Sequence, residues 1–128
     1  MSCPFCEPQV DRQLVVERSE YCLVIDLQHT VLAGSCIIVP NAHRVTPFDL
    51  TESEITSTFH LLRAVKTRQD SELSPDGYNV GWNCGSVAGQ KVEHAHLHVI
   101  PRLRDEPLAG KGIRFWLQQE ANRRPAGV

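Results

Sequence analysis

At 128 residues, 41% hydrophobic and 22% charged, the chain has the size and make-up of one globular domain with a single core. No apolar run approaches the ~18 residues of a membrane helix, and residues 1–6 lack the basic and apolar stretches of a signal peptide, so a cytoplasmic protein with no membrane partner is expected. A net charge of −2 without a basic stripe argues against a long nucleic-acid partner and leaves small phosphorylated ligands open.

The chain opens on Cys3-Pro4-Phe5-Cys6, a C-x-x-C whose two thiolates can supply half of a tetrahedral zinc site. A redox pair belongs after a strand and at a helix N-terminus, a context missing here; two free thiols are the remaining alternative. The five cysteines are odd in number and unevenly spaced, which argues against a disulfide framework. Cys22, Cys36 and Cys84 read as small buried residues. Residues 13–17 and 21–26 are β-rich and are joined by a short polar turn, predicting a hairpin. Residues 34–40 are a third strand, stopped by Pro40. The turn after it brings His43 to one rim of the sheet. Residues 51–69 are the clearest helix. Thr51 and Glu54 make a capping box, and Leu50 with Ile55 a hydrophobic staple. Ile55, Phe59, Leu62 and Val65 form the apolar stripe, with His60 at the surface.

Residues 71–77 are a loop, 78–83 a fourth strand and 84–90 a glycine-containing loop. Lys91 then leads into His94-Ala95-His96-Leu97-His98-Val99-Ile100-Pro101. Three of the chain's six histidines fall within five residues, in strict alternation with apolar residues. That pattern reads as a half-buried strand, with His94, His96 and His98 on one face and Ala95, Leu97 and Val99 packed inward. Residues 113–122, carrying Phe115, Trp116 and Leu117, are expected as a short C-terminal helix, with a frayed end after them. Short connections and hairpin-like joints imply an α+β domain, with an antiparallel sheet covered by helix on one face.

The run Gly85-(x3)-Gly89-Gln90-x-Val92-x-His94-x-His96-x-His98-Val99-Ile100-Pro101 resembles the signature of the histidine triad (HIT) family. The resemblance extends upstream through the strand–proline–x–x–histidine element at residues 37–43 and the C-x-x-C, covering about residues 3–104 of a single domain 1–128. It implies a HIT-like fold with a five-stranded sheet, usually as a homodimer whose sheets join. It implies a nucleotide hydrolase or nucleotidyl transferase acting at the α-phosphate of a purine nucleotide, with His96 as nucleophile and His98 contacting phosphate and leaving group. It also implies Asn83, Gly89 and Gln90 at the phosphates and an acidic ribose ligand near Asp26. Ser35 stands where many members carry a fourth histidine, and Lys91 where members have Ser or Thr; Lys91 would bring positive charge to the phosphates. Members with the same C-x-x-C hold a structural zinc, here through Cys3, Cys6, His43 and His94.

Independently of resemblance, a neutral imidazole is nucleophilic near pH 7, and the amides of residues 85–89 suit an anion. Asn83 and the glycines are also explicable by turn geometry alone. Phe5, Leu23 and Ile25 are candidates for an apolar base pocket. Two other functions remain open. One is a metal-dependent hydrolase using the histidine cluster, although three same-face strand residues spread over ~13 Å cannot share one ion. The other is a non-catalytic nucleotide-binding protein.

Overall fold

β1 (Leu14–Arg18) and β2 (Cys22–Asp26) form the expected hairpin, and β2 pairs onward with β3 (Cys36–Pro40). The computed structural model describes residues 2–126. After β3 the chain crosses one face of the sheet as α1 (Glu52–Leu73), then returns as β4 (Gly77–Gly81) and β5 (Leu97–Arg102). The sheet is antiparallel throughout, in the order β1-β2-β3-β5-β4. β5 therefore lies inside the sheet, while β1 and β4 are its edges.

The alternation of each strand sorts side chains onto two faces. Cys22 and Val24 of β2, Cys36 and Ile38 of β3, and Leu97 and Val99 of β5 bury against Leu61 and Val65 of α1. The opposite face carries Leu23, Ile25, Ile37 and Val39, covered by Phe5 and Val10 from the N-terminal segment. The helix thus packs on one side and the N-terminal segment on the other, so His98 of β5, which alternates with Leu97 and Val99, faces the N-terminal side.

α1 starts at the predicted cap: Thr51 accepts from the Glu54 N–H at 3.1 Å, and Glu54 accepts from the Thr51 N–H at 2.8 Å. It runs past the expected end, to Leu73, and stops on Ser74 in the left-handed region (φ 47°). Its buried face is Glu54, Thr58, Leu61, Val65 and Gln69, whereas Ile55 and Phe59 of the predicted stripe are exposed. The face turns because its polar members find partners. Thr58 donates to the Glu54 carbonyl at 2.7 Å, Glu54 pairs with Arg44 at 3.0 Å, and Gln69 donates to Gly34 and Val99 carbonyls at 2.9 and 3.3 Å.

Two further expectations change. β5 begins only at Leu97, so His94 and His96 precede it, and His94 is buried instead of sharing an open face with the others. Residues 113–119 form successive turns, and only Glu120–Asn122 makes a short 3-10 turn, in place of a C-terminal helix. Phe115, Trp116 and Leu117 are consecutive, and consecutive residues cannot share one helix face. Among the cysteines, Cys22 and Cys36 are buried as expected, while Cys84 is half-buried. Among the described residues no helix is long and apolar enough to cross a membrane.

Candidate active site

The His96 and His98 rings meet edge to face, 4.9 Å between centroids. His96 Nδ1 lies 2.9 Å from the carbonyl oxygen of His94. A carbonyl only accepts, so Nδ1 carries the hydrogen and Nε2 presents its lone pair outward. Phe5 packs edge-on against both His96 and His94, at 5.6 and 5.8 Å. Leu23 and Ile25, offered by the sequence as base-pocket residues with Phe5, are fully buried core residues packed in one cluster with it. Burial, and secondarily His96, holds the His98 pKa below the ordinary histidine value, favouring its neutral form near pH 7.

Ile37 lies directly across from His98 in the β3–β5 register. Ser35 is two residues earlier on that face, and it is buried. Ser35 and His98 are not bonded to each other: Ser35 Oγ and His98 Nε2 are both buried without a protein partner. Serine is too short to span a diagonal separation of about 7–8 Å across a sheet. Asp26 departs further from expectation. It continues the Cys22–Val24 face, toward α1, and its charge helps push the Cys36 thiol up to about 11, after the larger effect of burial. Its carboxylate accepts from the Gln28 N–H at 2.7 Å. With a side-chain period of two, one residue of offset puts a side chain on the wrong face, so Asp26 is not brought to the histidines.

The loop before the triad is held by Gln90. Its Oε1 accepts from the Gly85 N–H at 2.7 Å, and its Nε2 donates to the Val45 and Val92 carbonyls at 2.7 and 3.0 Å. Gln90 is buried with those atoms occupied, so it braces the loop and does not reach a phosphate through its side chain. The amides of Ala88, Gly89 and Gln90 also bond inside the loop, which narrows the expected anion cradle. Gly85 and Gly89 take φ of +85° and +95°, which a side chain disfavours. A Cβ on Gly89 would stand 3.7 Å from Asn83 Nδ2, so these two residues abut. Lys91 is exposed at the loop's end.

Cys3, Cys6, His43 and His94 converge on the other side of the triad, their ligand atoms all within 4.8 Å of one another. Cys3 Sγ and Cys6 Sγ lie 3.3 and 3.5 Å from His94 Nδ1, and Cys6 Sγ lies 3.2 Å from His43 Nδ1. His94 Nε2 is 2.9 Å from the Pro40 carbonyl oxygen. Nε2 must therefore donate, which leaves Nδ1 bare toward the sulfurs, as a metal ligand requires. Burial and then the adjacent Cys3 push the Cys6 thiol up, and burial holds His94 down. A group of donors that resists ionisation in the absence of a cation and is pre-aimed at one point can hold a metal ion. The Pro40 carbonyl carries no side-chain signal, which is why its role is invisible in the sequence.

On the far side of His98 an open cavity of about 520 Å³ is bounded by β4, β5 and the C-terminal segment, and it includes Asn83 and His98.

Residues 7–105 match the HIT domain family. Over 115 residues the chain is 29% identical to adenosine 5'-monophosphoramidase hnt1 of Schizosaccharomyces pombe, covering 88% of this chain and 83% of that one. The asymmetrical bis(5'-nucleosyl)-tetraphosphatase of the same yeast is 36% identical over 72 residues, 56% of this chain and 40% of its own length. The crystal structure of a HIT family member from Bacillus subtilis shares the fold with a TM-score of 0.73 at 27% identity, over 82% of this chain and 76% of the other. The family match and the shared α+β architecture together make this chain a member of the HIT domain family.

Proposed function

We propose that the protein is a nucleotide hydrolase or nucleotidyl transferase that works through a nucleotidyl-histidine intermediate on His96. The observation that carries this reading is the 2.9 Å contact between His96 Nδ1 and the His94 carbonyl, which frees Nε2 for attack. Nε2 forms a bond to the α-phosphorus, and the bond from phosphorus to the leaving oxygen or nitrogen breaks with its electron pair on the leaving atom. That atom takes a proton delivered from solvent, with a neutral His98 N–H as hydrogen-bond donor beside it. The His94 carbonyl retains the Nδ1 proton of the phosphorylated ring and faces its positive charge. Water then attacks phosphorus and gives up a proton to solvent, the P–N bond breaks with its electron pair returning to His96 Nε2, and a nucleoside monophosphate leaves. Asn83 and the free amides of the glycine loop bind non-bridging oxygens, and Lys91 adds positive charge beside them. The relatives named a phosphoramidase and a dinucleoside tetraphosphatase support a purine nucleotide as substrate.

Zinc fits the Cys3, Cys6, His43 and His94 set. A tetrahedral ion with Zn–S of about 2.3 Å and Zn–N of about 2.1 Å holds sulfur and nitrogen ligands roughly 3.5 Å apart, and the sulfur–nitrogen separations here are 3.2–3.5 Å. Four protein ligands leave no open position, so the ion when bound cross-links the N-terminal segment to the sheet and does not activate water. The chain is also read as a homodimer joined through β4. β4 is an edge with a regular ladder on its inner side, whereas the other edge, β1, is interrupted by a bulge between Val15 and Glu17.

Incubation with adenosine 5'-monophosphoramidate followed by intact-mass measurement tests the mechanism. A nucleotidyl adduct on His96, with turnover and adduct both lost in His96→Ala, is expected. Turnover that persists in His96→Ala, or that stops on chelation with no adduct ever formed, would overturn it in favour of metal-dependent hydrolysis.

A further inference from the structure

The peptide between His94 and Ala95 is bonded on both sides. Its carbonyl accepts from His96 Nδ1 at 2.9 Å, and its N–H donates to the Arg44 carbonyl at 2.6 Å. Both contacts belong to one planar, conjugated group. A chain of hydrogen bonds therefore leads from the His96 ring through that peptide to the Arg44 oxygen. Ala95 is buried and precedes β5, so its N–H finds an acceptor outside the sheet ladder. The position of that acceptor is set by the irregular segment after β3 and not by strand pairing.

Side chains fasten this segment to the rest of the fold. The Asn41 N–H donates to the Tyr21 carbonyl at 2.8 Å, and the Asn41 side chain donates to the Glu20 carbonyl at 3.0 Å. Three residues on, Arg44 Nε donates to both carboxylate oxygens of Glu54, at 3.0 and 3.3 Å. Glu54 is itself fixed, because it is buried and closes the cap of α1 through the Thr51 N–H. The next carbonyl, that of Val45, accepts from the Gln90 side chain at 2.7 Å, and Gln90 holds the Gly85 N–H. One fastened segment thus serves the peptide behind His96 with one oxygen and the glycine loop with the next.

We propose that Arg44 is a positioning residue for His96: its side chain, gripped by Glu54, holds its own carbonyl oxygen at the end of the relay, and that oxygen supports both the Nδ1–H tautomer and the charge the ring acquires on attack. The inference rests on the hydrolase reading above. As Nε2 bonds to phosphorus the ring becomes cationic, and Nδ1–H becomes a stronger donor. The His94 oxygen gains negative character, the Ala95 N–H strengthens as a donor, and the Arg44 oxygen answers it. No proton leaves the peptide; electron density shifts along the chain and returns when the P–N bond to His96 breaks.

Two variants test this. Arg44→Met keeps the length of the stem and loses the grip on Glu54, whereas Arg44→Lys restores a charge opposite it. In Arg44→Met, kcat on adenosine 5'-monophosphoramidate should fall by about tenfold with KM within about twofold, the weight of one hydrogen bond felt in the transition state. Arg44→Lys should recover most of that loss. Nitrogen NMR of isotopically labelled histidine, recorded without substrate at about pH 8, where an ordinary imidazole is neutral, should show wild-type His96 with Nδ1 protonated and Nε2 bare. In Arg44→Met the two ring signals should move toward each other as the tautomers mix. If Arg44→Met does not fold, Arg44→Lys carries the same test with smaller changes in kcat and in both signals. An unchanged nitrogen pattern, a loss confined to KM, or a lysine variant no better than a folded methionine variant would overturn the proposal and leave the hydrolase reading standing. A wild type with no turnover and no adduct on His96 would overturn the hydrolase reading instead, while the nitrogen pattern still decides whether Arg44 holds the tautomer.

Discussion

Glu54 stays ionised although the fold buries it to 4% exposure. Burial alone would raise its pKa; the Thr51 N–H and the Arg44 guanidinium outweigh that effect and hold it below the ordinary carboxylate value of 4.5. A carboxyl whose folded pKa is depressed stabilises the fold above its unfolded pKa, and that contribution disappears as pH falls through the folded value. Unfolding free energy should therefore drop as pH is lowered below about 4.5. Glu54→Gln should be less stable at pH 7 by about 1.5–3 kcal/mol, the scale of a hydrogen bond to a charged group, and should flatten that acid limb. Denaturant titrations of both proteins at a series of pH values check it, and parallel limbs would refute it. This residue also shows what is legible from sequence. Its capping role follows from Thr51-x-x-Glu54, but its partnership with Arg44 does not, because nothing local pairs positions ten apart. The histidines and cysteines were legible as a set because their residue types have few other uses at such spacing. Asp26, Gln90 and Ser35 were not, since their roles depend on which face or which loop amide each side chain meets.

At the scale of elements, β4 is where a second copy is expected to add. Sedimentation at micromolar concentration should give about twice the chain mass of 14.4 kDa. Val80→Lys, which puts like charges on two neighbouring copies of a half-exposed edge residue, should shift the protein toward monomer. A wild-type monomer under those conditions would refute the joined sheet. Strand positions were well anticipated because β-branched runs ended by Gly, Pro or polar turns leave few alternatives. The helix was anticipated in place but not in rotation. Ile55 and Phe59 are the more hydrophobic choice, yet Thr58 and Gln69 bury because their side chains donate to main-chain carbonyls, Thr58 to Glu54 and Gln69 to Gly34 and Val99. The turns of residues 113–119 follow a tail whose position is set by Arg102, a long-range anchor that periodicity does not register.

Across the whole molecule, the N-terminal segment contributes no strand pairing before Leu14 and is attached through Phe5, Val10 and the cysteine–histidine cluster. Its attachment therefore depends on the ion proposed there. Removing zinc with a chelator, or substituting Cys3→Ser with Cys6→Ser, should lower the thermal midpoint and abolish about one equivalent of bound zinc. Equal metal content in wild type and double variant would refute the assignment. Helix and N-terminal segment cover opposite faces of one sheet, so packing against α1 and chemistry at the triad are separated by the thickness of a single strand layer. The main-chain oxygen of His94 has a consequence of its own. As the acceptor that sets the His96 tautomer is backbone, no substitution at position 94 deletes it. The protonation pattern of His96, the proposed nucleophile, is thus protected from point mutation at position 94, and the proposed metal ligand there can be exchanged while Nε2 of His96 keeps its orientation.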